Sequence, residues 1–162
     1  GRPAGKEKET PRRKTGGAEL EAQKGLIGAL LSGGEVGTRV AHEVAPEDFP
    51  DPELRRLAEI VLGALQNGDT PDAGALIDTV GEPAMAALVA EISVQPLDDE
   101  NGGRACGDYI RILRKCAIEA EIRAVEREIE TAEMTGDDEK LLRRVAARRE
   151  LAERLRSLSA GD

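Results

Sequence analysis

The residues best suited to chemistry in this sequence are an acidic cluster, two cysteines and a single histidine. Glu47, Asp48 and Asp51 lie close enough along the chain to bind a divalent cation together. They surround two prolines at the predicted start of a helix, where carboxylates are favoured by capping and by the helix dipole. We therefore interpret the cluster as a capping element and expect no metal site.

Cys106 and Cys116 are ten residues apart in a segment that reads as one helix. Ten helical residues separate them by about 15 Å along the axis, which is too far for a disulfide within the chain. A zinc site needs further ligands, but His42 is the one histidine and the sequence has no CxxC pair. We expect two reduced thiols in a cytoplasmic protein.

Catalytic machinery is not recognisable in the sequence. It contains no GxxxxGK[ST] phosphate loop, and the pairs Gly33-Gly34 and Gly102-Gly103 are better explained as helix stops. No serine, cysteine or carboxylate stands in a fixed relation to His42 that would make it a general base. We expect no cofactor, and no enzymatic activity from these 162 residues.

The composition predicts an all-α fold. Hydrophobic residues make up 40% of the chain, yet the aromatic ones are only Phe49 and Tyr109. A core of Leu, Ile, Val and Ala favours helix-on-helix packing over a β-sandwich. The apolar runs are far shorter than the roughly 20 residues of a membrane span, so we expect no membrane association. Because the chain begins with Gly1, we expect it to be a fragment of a longer protein.

Three parts follow from the periodicity. Residues 1–17 combine Pro, Gly and charge and predict a flexible basic linker. Residues 18–103 predict a bundle of five helices, which the first half of a long helix (104–116) extends. Residues 117–162 predict a C-terminal helical hairpin that turns at Gly136-Asp137-Asp138. The apolar stripe of the long helix slips between Cys116 and Ile118, which indicates a change of packing partner, although a hairpin folded back onto the bundle stays open.

The net charge of −9 is unevenly distributed. The first 17 residues carry +4, residues 18–103 carry −13, and residues 104–162 balance thirteen basic against thirteen acidic residues. Nucleic-acid binding needs a basic surface. The acidic bundle therefore predicts a protein partner and no direct contact with nucleic acid.

Three motifs follow one another along the chain: EAQKGLIGALL (residues 21–31), PEDFPDPELRRL (46–57) and DYIRILR (108–114), the last followed by a long Arg/Glu helix and a Leu-rich closing helix. In this order they resemble the C-terminal domain of bacterial DNA primases. The first two motifs are also similar to the N-terminal domain of the replicative helicase. The closing Arg/Glu hairpin favours primase, whereas Gly33-Gly34-Glu35 departs from the bulkier segment that is usual there.

The resemblance implies a docking domain that recruits primase to the replicative helicase. The full-length protein of such a family is a DNA-dependent RNA polymerase that makes primers. The hairpin would bind the N-terminal domain of the helicase, and the bundle would modulate helicase activity. The resemblance also implies a second partner, the acidic tail of single-stranded-DNA-binding protein, for which Lys24 is the one matching position. We expect the fragment to be monomeric alone.

The closing helix carries leucines at helical spacing where the first hairpin helix offers the least cover. Exposed apolar side chains mark docking surfaces, and arginines commonly anchor interfaces. The predicted helicase-binding residues are Leu142, Arg148, Leu151, Arg154, Leu155 and Leu158. Two alternatives stay open: the N-terminal domain of a helicase, and a self-associating helical module in which Leu151, Leu155 and Leu158 form a homodimer face.

Overall fold

A computed structural model describes residues 16–94 and 99–160, with side chains for all of these except 99–101. The linker predicted for residues 1–17 therefore lies outside the described part up to residue 15. The described residues form seven α-helices, one short 3-10 helix and no strand, so the all-α prediction is confirmed. The α-helices are α1 (Gly17–Ser32), α2 (Gly34–Glu43), α3 (Pro52–Gln66), α4 (Ala73–Val80), α5 (Pro83–Ser93), α6 (Asp99–Thr135) and α7 (Asp138–Ala160).

Helix α1 lies at the centre of the bundle and packs against α2, α3, α5 and α6. Its residues Ala22, Leu26, Ile27 and Leu30 are buried almost completely, because their spacing of three and four places them on the faces that neighbouring helices cover. Two consecutive glycines with positive φ, Gly33 (74°) and Gly34 (69°), then reverse the chain into α2. The predicted end of a helix at Gly33-Gly34 is confirmed, because α1 ends at Ser32.

The PEDF-x-DP-x-x-R stretch builds the connection between α2 and α3. The Asp51 carboxylate caps α3 by accepting a hydrogen bond from Leu54 N at 3.1 Å, as predicted. The Asp51 N–H in turn donates to Oε1 of the fully buried Gln23 on α1 (3.1 Å). Arg55 Nε donates to the carbonyl oxygen of the buried Phe49 (3.0 Å). These hydrogen bonds hold the chain around the 3-10 helix Pro46–Asp48 against α1 and α3.

Helix α6 is a single helix of 37 residues, about 55 Å long at 1.5 Å per residue. It begins at Asp99, so the predicted start at residue 104 and the interpretation of Gly102-Gly103 as a helix stop are wrong. A Cβ on Gly103 would lie 3.3 Å from Arg39 Nη1, which is the end of a flexible side chain and can move aside. The packing of α2 against α6 therefore does not depend on a glycine at this position.

The two halves of α6 pack in different directions. Cys106, Ile110 and Leu113 belong to the bundle core, whereas Ile118 and Val125 belong to a second core shared with α7. Leu113 and Ile118 are five residues apart, and five steps of about 100° turn the buried face by about 140°. This turn is the physical basis of the stripe slip in the sequence. Independent folding of the two parts stays a prediction.

The turn between α6 and α7 is short and capped. Gly136 adopts the left-handed conformation (φ 72°), and Asp137 N donates to the Ala132 carbonyl oxygen at 3.0 Å. The Asp137 carboxylate then caps α7 by accepting from Lys140 N at 3.1 Å. The chain therefore reverses at Gly136-Asp137, and α7 packs back along α6.

Candidate protein-docking site

The hairpin is held by a small apolar core between α6 and α7. Ile118, Val125 and Leu151 are buried at its centre. The partly buried side chains packed against them are Ile122, Ile129, Ala147, Leu155 and Leu158. This core occupies the facing sides of the two helices, so it stabilises the hairpin.

The burial of these leucines corrects the predicted docking surface. Leu151 is only 7% exposed, and Leu155 and Leu158 are half-buried against the same cluster. The three leucines were expected to lack cover, and this expectation is wrong because the long first hairpin helix reaches alongside them. A homodimer face made of the same three leucines would have to form without the buried Leu151, and this alternative stays a prediction. Their effect on helicase binding stays a prediction.

The predicted arginines differ in what they contact. Arg148 donates through both Nε (2.9 Å) and Nη2 (2.7 Å) to Glu126 Oε2, which ties α7 to α6. Arg144 makes a second tie to Glu128 at 3.2 Å. Arg154 is exposed and has no ion pair among the residues that the structure describes. Arg148 therefore has a structural partner already, whereas Arg154 is available.

Leu142 lies away from the other five predicted residues. Its side chain is 72% exposed, near the turn of the hairpin. Val145, which the sequence reasoning did not select, is 38% exposed one turn later. Their spacing of three residues was the signal that could have found the pair, because it places both on one face of a helix.

A cleft of about 570 Å³ lies where the hairpin meets the bundle. Its walls come from distant parts of the chain: Asp48 of the 3-10 helix, Arg114 and Ile118 of α6, and Arg154 and Leu158 of α7. Arg114 also donates to the carbonyl oxygen of Glu43 at 3.3 Å. The structure thus brings two predicted residues, Arg154 and Leu158, together with Arg114 and Asp48, which spacing alone does not reveal.

Lys24 and His42 have different surroundings. The Lys24 ammonium is 2.8 Å from Glu91, so this basic group, predicted to receive an acidic tail, is neutralised within the chain. His42 is exposed beside a groove of about 430 Å³ between α2 and α3, whose floor includes Val44 and Leu62. An acidic tail would have to displace Glu91, and the contact with Lys24 stays a prediction.

The two aspartates of the acidic cluster accept hydrogen bonds from backbone N–H groups. Asp48 accepts a hydrogen bond from Ala45 N at 2.8 Å, and Asp51 caps α3. Burial raises the pKa of the Cys106 thiol, and the positive charge of Arg39 offsets part of this rise. Burial also raises the pKa of Tyr109, with the carboxylate of Glu21 adding to it. Within the described part of the chain, no group of three or more ligating side chains is arranged for a metal ion.

The helices of residues 16–94 and 99–160 include none with the length and apolar character of a membrane span.

No protein-family model matches the chain. A DNA primase from Listeria monocytogenes serovar 1/2a is 23% identical to it over 135 residues, which are 83% of this chain and 21% of that protein. The chain therefore spans about a fifth of the length of the curated relative that it matches. This likeness supports a distant relation between the chain and a part of DNA primase.

Proposed function

We propose that this chain is the docking domain of a primase-related protein and that its hairpin binds the N-terminal domain of the replicative helicase. The bundle modulates the helicase once the hairpin is bound. The distant likeness to DNA primase over most of the chain supports the class of protein. The observation that carries the docking role is the projecting hairpin, in which α7 packs along the second half of α6 around a core of its own.

The physical argument concerns what a two-helix hairpin leaves uncovered. Each helix covers one side of the other, so the remaining sides face solvent or a partner. Leu142 and Val145 are exposed and lie within the first two turns of α7. A partner that covers neighbouring apolar side chains on the same helix face gains their transfer free energy.

The test compares two buried leucines, one in each core. Leu151 of the hairpin and Leu76 of the bundle are 7% and 3% exposed. We expect Leu151→Asp to unfold the hairpin and to weaken binding of the full chain to the cognate helicase at least tenfold. Leu76→Asp should loosen α4 and leave helicase binding within about twofold. Calorimetric titration measures the affinity, and circular dichroism measures the helix lost in each variant.

The reverse outcome would assign docking to the bundle and contradict the proposal. Absence of binding by the wild-type chain would also contradict it. Primer synthesis by these residues alone would contradict the expectation that they have no catalytic role.

A further inference from the structure

The hairpin has an outer edge on α7 that points away from its own core. Leu142 is nine residues from the buried Leu151, and nine steps of about 100° amount to two and a half turns, so the two side chains point in opposite directions. Val145 and Arg149 follow Leu142 at spacings of three and seven residues and share its face. We call these three residues, Leu142, Val145 and Arg149, the outer edge of α7.

Arg149 differs from the arginines beside it. Arg144 and Arg148 point towards α6 and are held by Glu128 and Glu126. Arg149 is exposed, and among the residues that the structure describes no carboxylate pairs with it. Its guanidinium therefore remains available for a bidentate contact with a carboxylate outside the chain.

The two hairpin helices also have opposite charge. Helix α7 carries seven basic residues against four acidic ones, a net of +3. Residues 117–135 of α6 carry two arginines against six glutamates, a net of −4. Without the two ion pairs that already join the helices, α7 keeps a net charge of +1 and residues 117–135 of α6 keep −2. Charge complementarity therefore favours contact of an acidic partner surface with α7 over contact with α6.

We infer that the outer edge of α7 is the surface by which the hairpin enters its partner, and that the receiving site is an apolar groove edged by carboxylates. The inference rests on the proposed function, since it takes the replicative helicase as the partner. Leu142 and Val145 fill the groove, and Arg149 pairs with a carboxylate on its rim. Leu151, Leu155 and Leu158 act indirectly by keeping α7 in place.

A groove on a larger protein fits this edge better than a second copy of the same edge. Two copies of this edge would bring together helices that each carry a net positive charge, whereas carboxylates on the rim of a groove supply the opposite charge. A groove contacts more of the helix circumference than a convex surface does. The same two apolar side chains then lose more of their contact with water.

The test uses two exposed apolar residues of the same hairpin. Leu142 is 72% exposed on α7, and Met134 is 84% exposed on α6, nine residues from the buried Val125 and so on the opposite side of the hairpin. In the full chain, Leu142→Asp should weaken binding to the cognate helicase at least tenfold. Met134→Asp adds the same charge to an equally accessible site and should leave the affinity within about twofold. Unchanged helical content in both variants excludes loss of folding.

A second pair tests the charge contact. Arg149→Glu should weaken binding at least fivefold, whereas Arg123→Glu, at an exposed position of α6, should change it less than twofold. Full affinity of Leu142→Asp, with loss in Leu151→Asp, would overturn this inference and leave the proposed function intact. Failure of the wild-type chain to bind the helicase would overturn both. A concentration-dependent dimer of the chain that Leu142→Asp abolishes would assign the edge to a second copy and overturn the partner named here.

Discussion

At the scale of single residues, close helix contacts are set by where a side chain is missing. A Cβ on Gly25 of α1 would overlap the ring of Tyr109 on α6. We expect Gly25→Ala to lower the free energy of unfolding by about 1 to 3 kcal/mol, because the ring must move out of a packed position. Urea denaturation followed by circular dichroism measures the change.

Gly63 is the matched control, because it also lies within a helix but a Cβ there would meet open space. Gly63→Ala should raise the free energy of unfolding by about 0.5 to 1 kcal/mol, since alanine loses less backbone entropy on folding. Equal effects of the two substitutions would contradict the close approach of Tyr109 to α1. The sequence does not distinguish these glycines, because the difference depends on a residue 84 positions away.

At the scale of elements, the hairpin depends more on its apolar core than on its ion pairs. We expect Leu151→Ala to destabilise the hairpin by about 2 to 5 kcal/mol, through lost burial and the cavity left behind. Arg148→Ala should cost at most about 1 kcal/mol, because the Arg148 side chain is 49% exposed and solvent screens its pair with Glu126. Native-state hydrogen exchange of the α7 amides measures the stability of the hairpin in the two variants. A larger effect of Arg148→Ala would show that the ion pairs dominate.

Local signals predicted much of the secondary structure. Asp51 as a cap of α3, Gly33-Gly34 between α1 and α2, and Gly136 between α6 and α7 are each fixed by the conformation or the hydrogen bond that the residue supplies. The start of α6 was missed because Gly102 and Gly103 look like a helix stop, whereas a glycine lowers the helix propensity without necessarily ending the helix.

The candidate site was harder to predict, for a reason of geometry. A helix stripe shows which residues share a face, but it does not show which face its partner covers. Leu151, Leu155 and Leu158 were correctly placed on one side of α7 and wrongly taken as the open side. Leu142 was grouped with these leucines as one docking surface, but it lies on the opposite side of α7, and Val145 beside it was left out of the predicted docking residues.

At the scale of the whole molecule, the two cores differ greatly in size. Among the described residues, the bundle core has twenty-one buried members and the hairpin core three. We therefore expect local opening of the hairpin to require less free energy than opening of the bundle. Native-state hydrogen exchange should show faster exchange in α7 and in α6 after Ala117 than in α1 and α3.

Addition of the helicase at saturating concentration should slow exchange in the hairpin, because binding stabilises the folded form. Uniform protection of both parts in the free chain would mean that they unfold as one unit.

The unbroken course of α6 gives its five-residue step from Leu113 to Ile118 one more meaning. Both cores are attached to the same helix, so the number of residues between them sets the direction in which the hairpin lies around the helix axis. Deletion of one residue in that step would swing α7 through about 100° around this axis and draw it about 1.5 Å closer to the bundle. Neither core would lose a side chain, yet the outer edge of α7 would aim at a different neighbour.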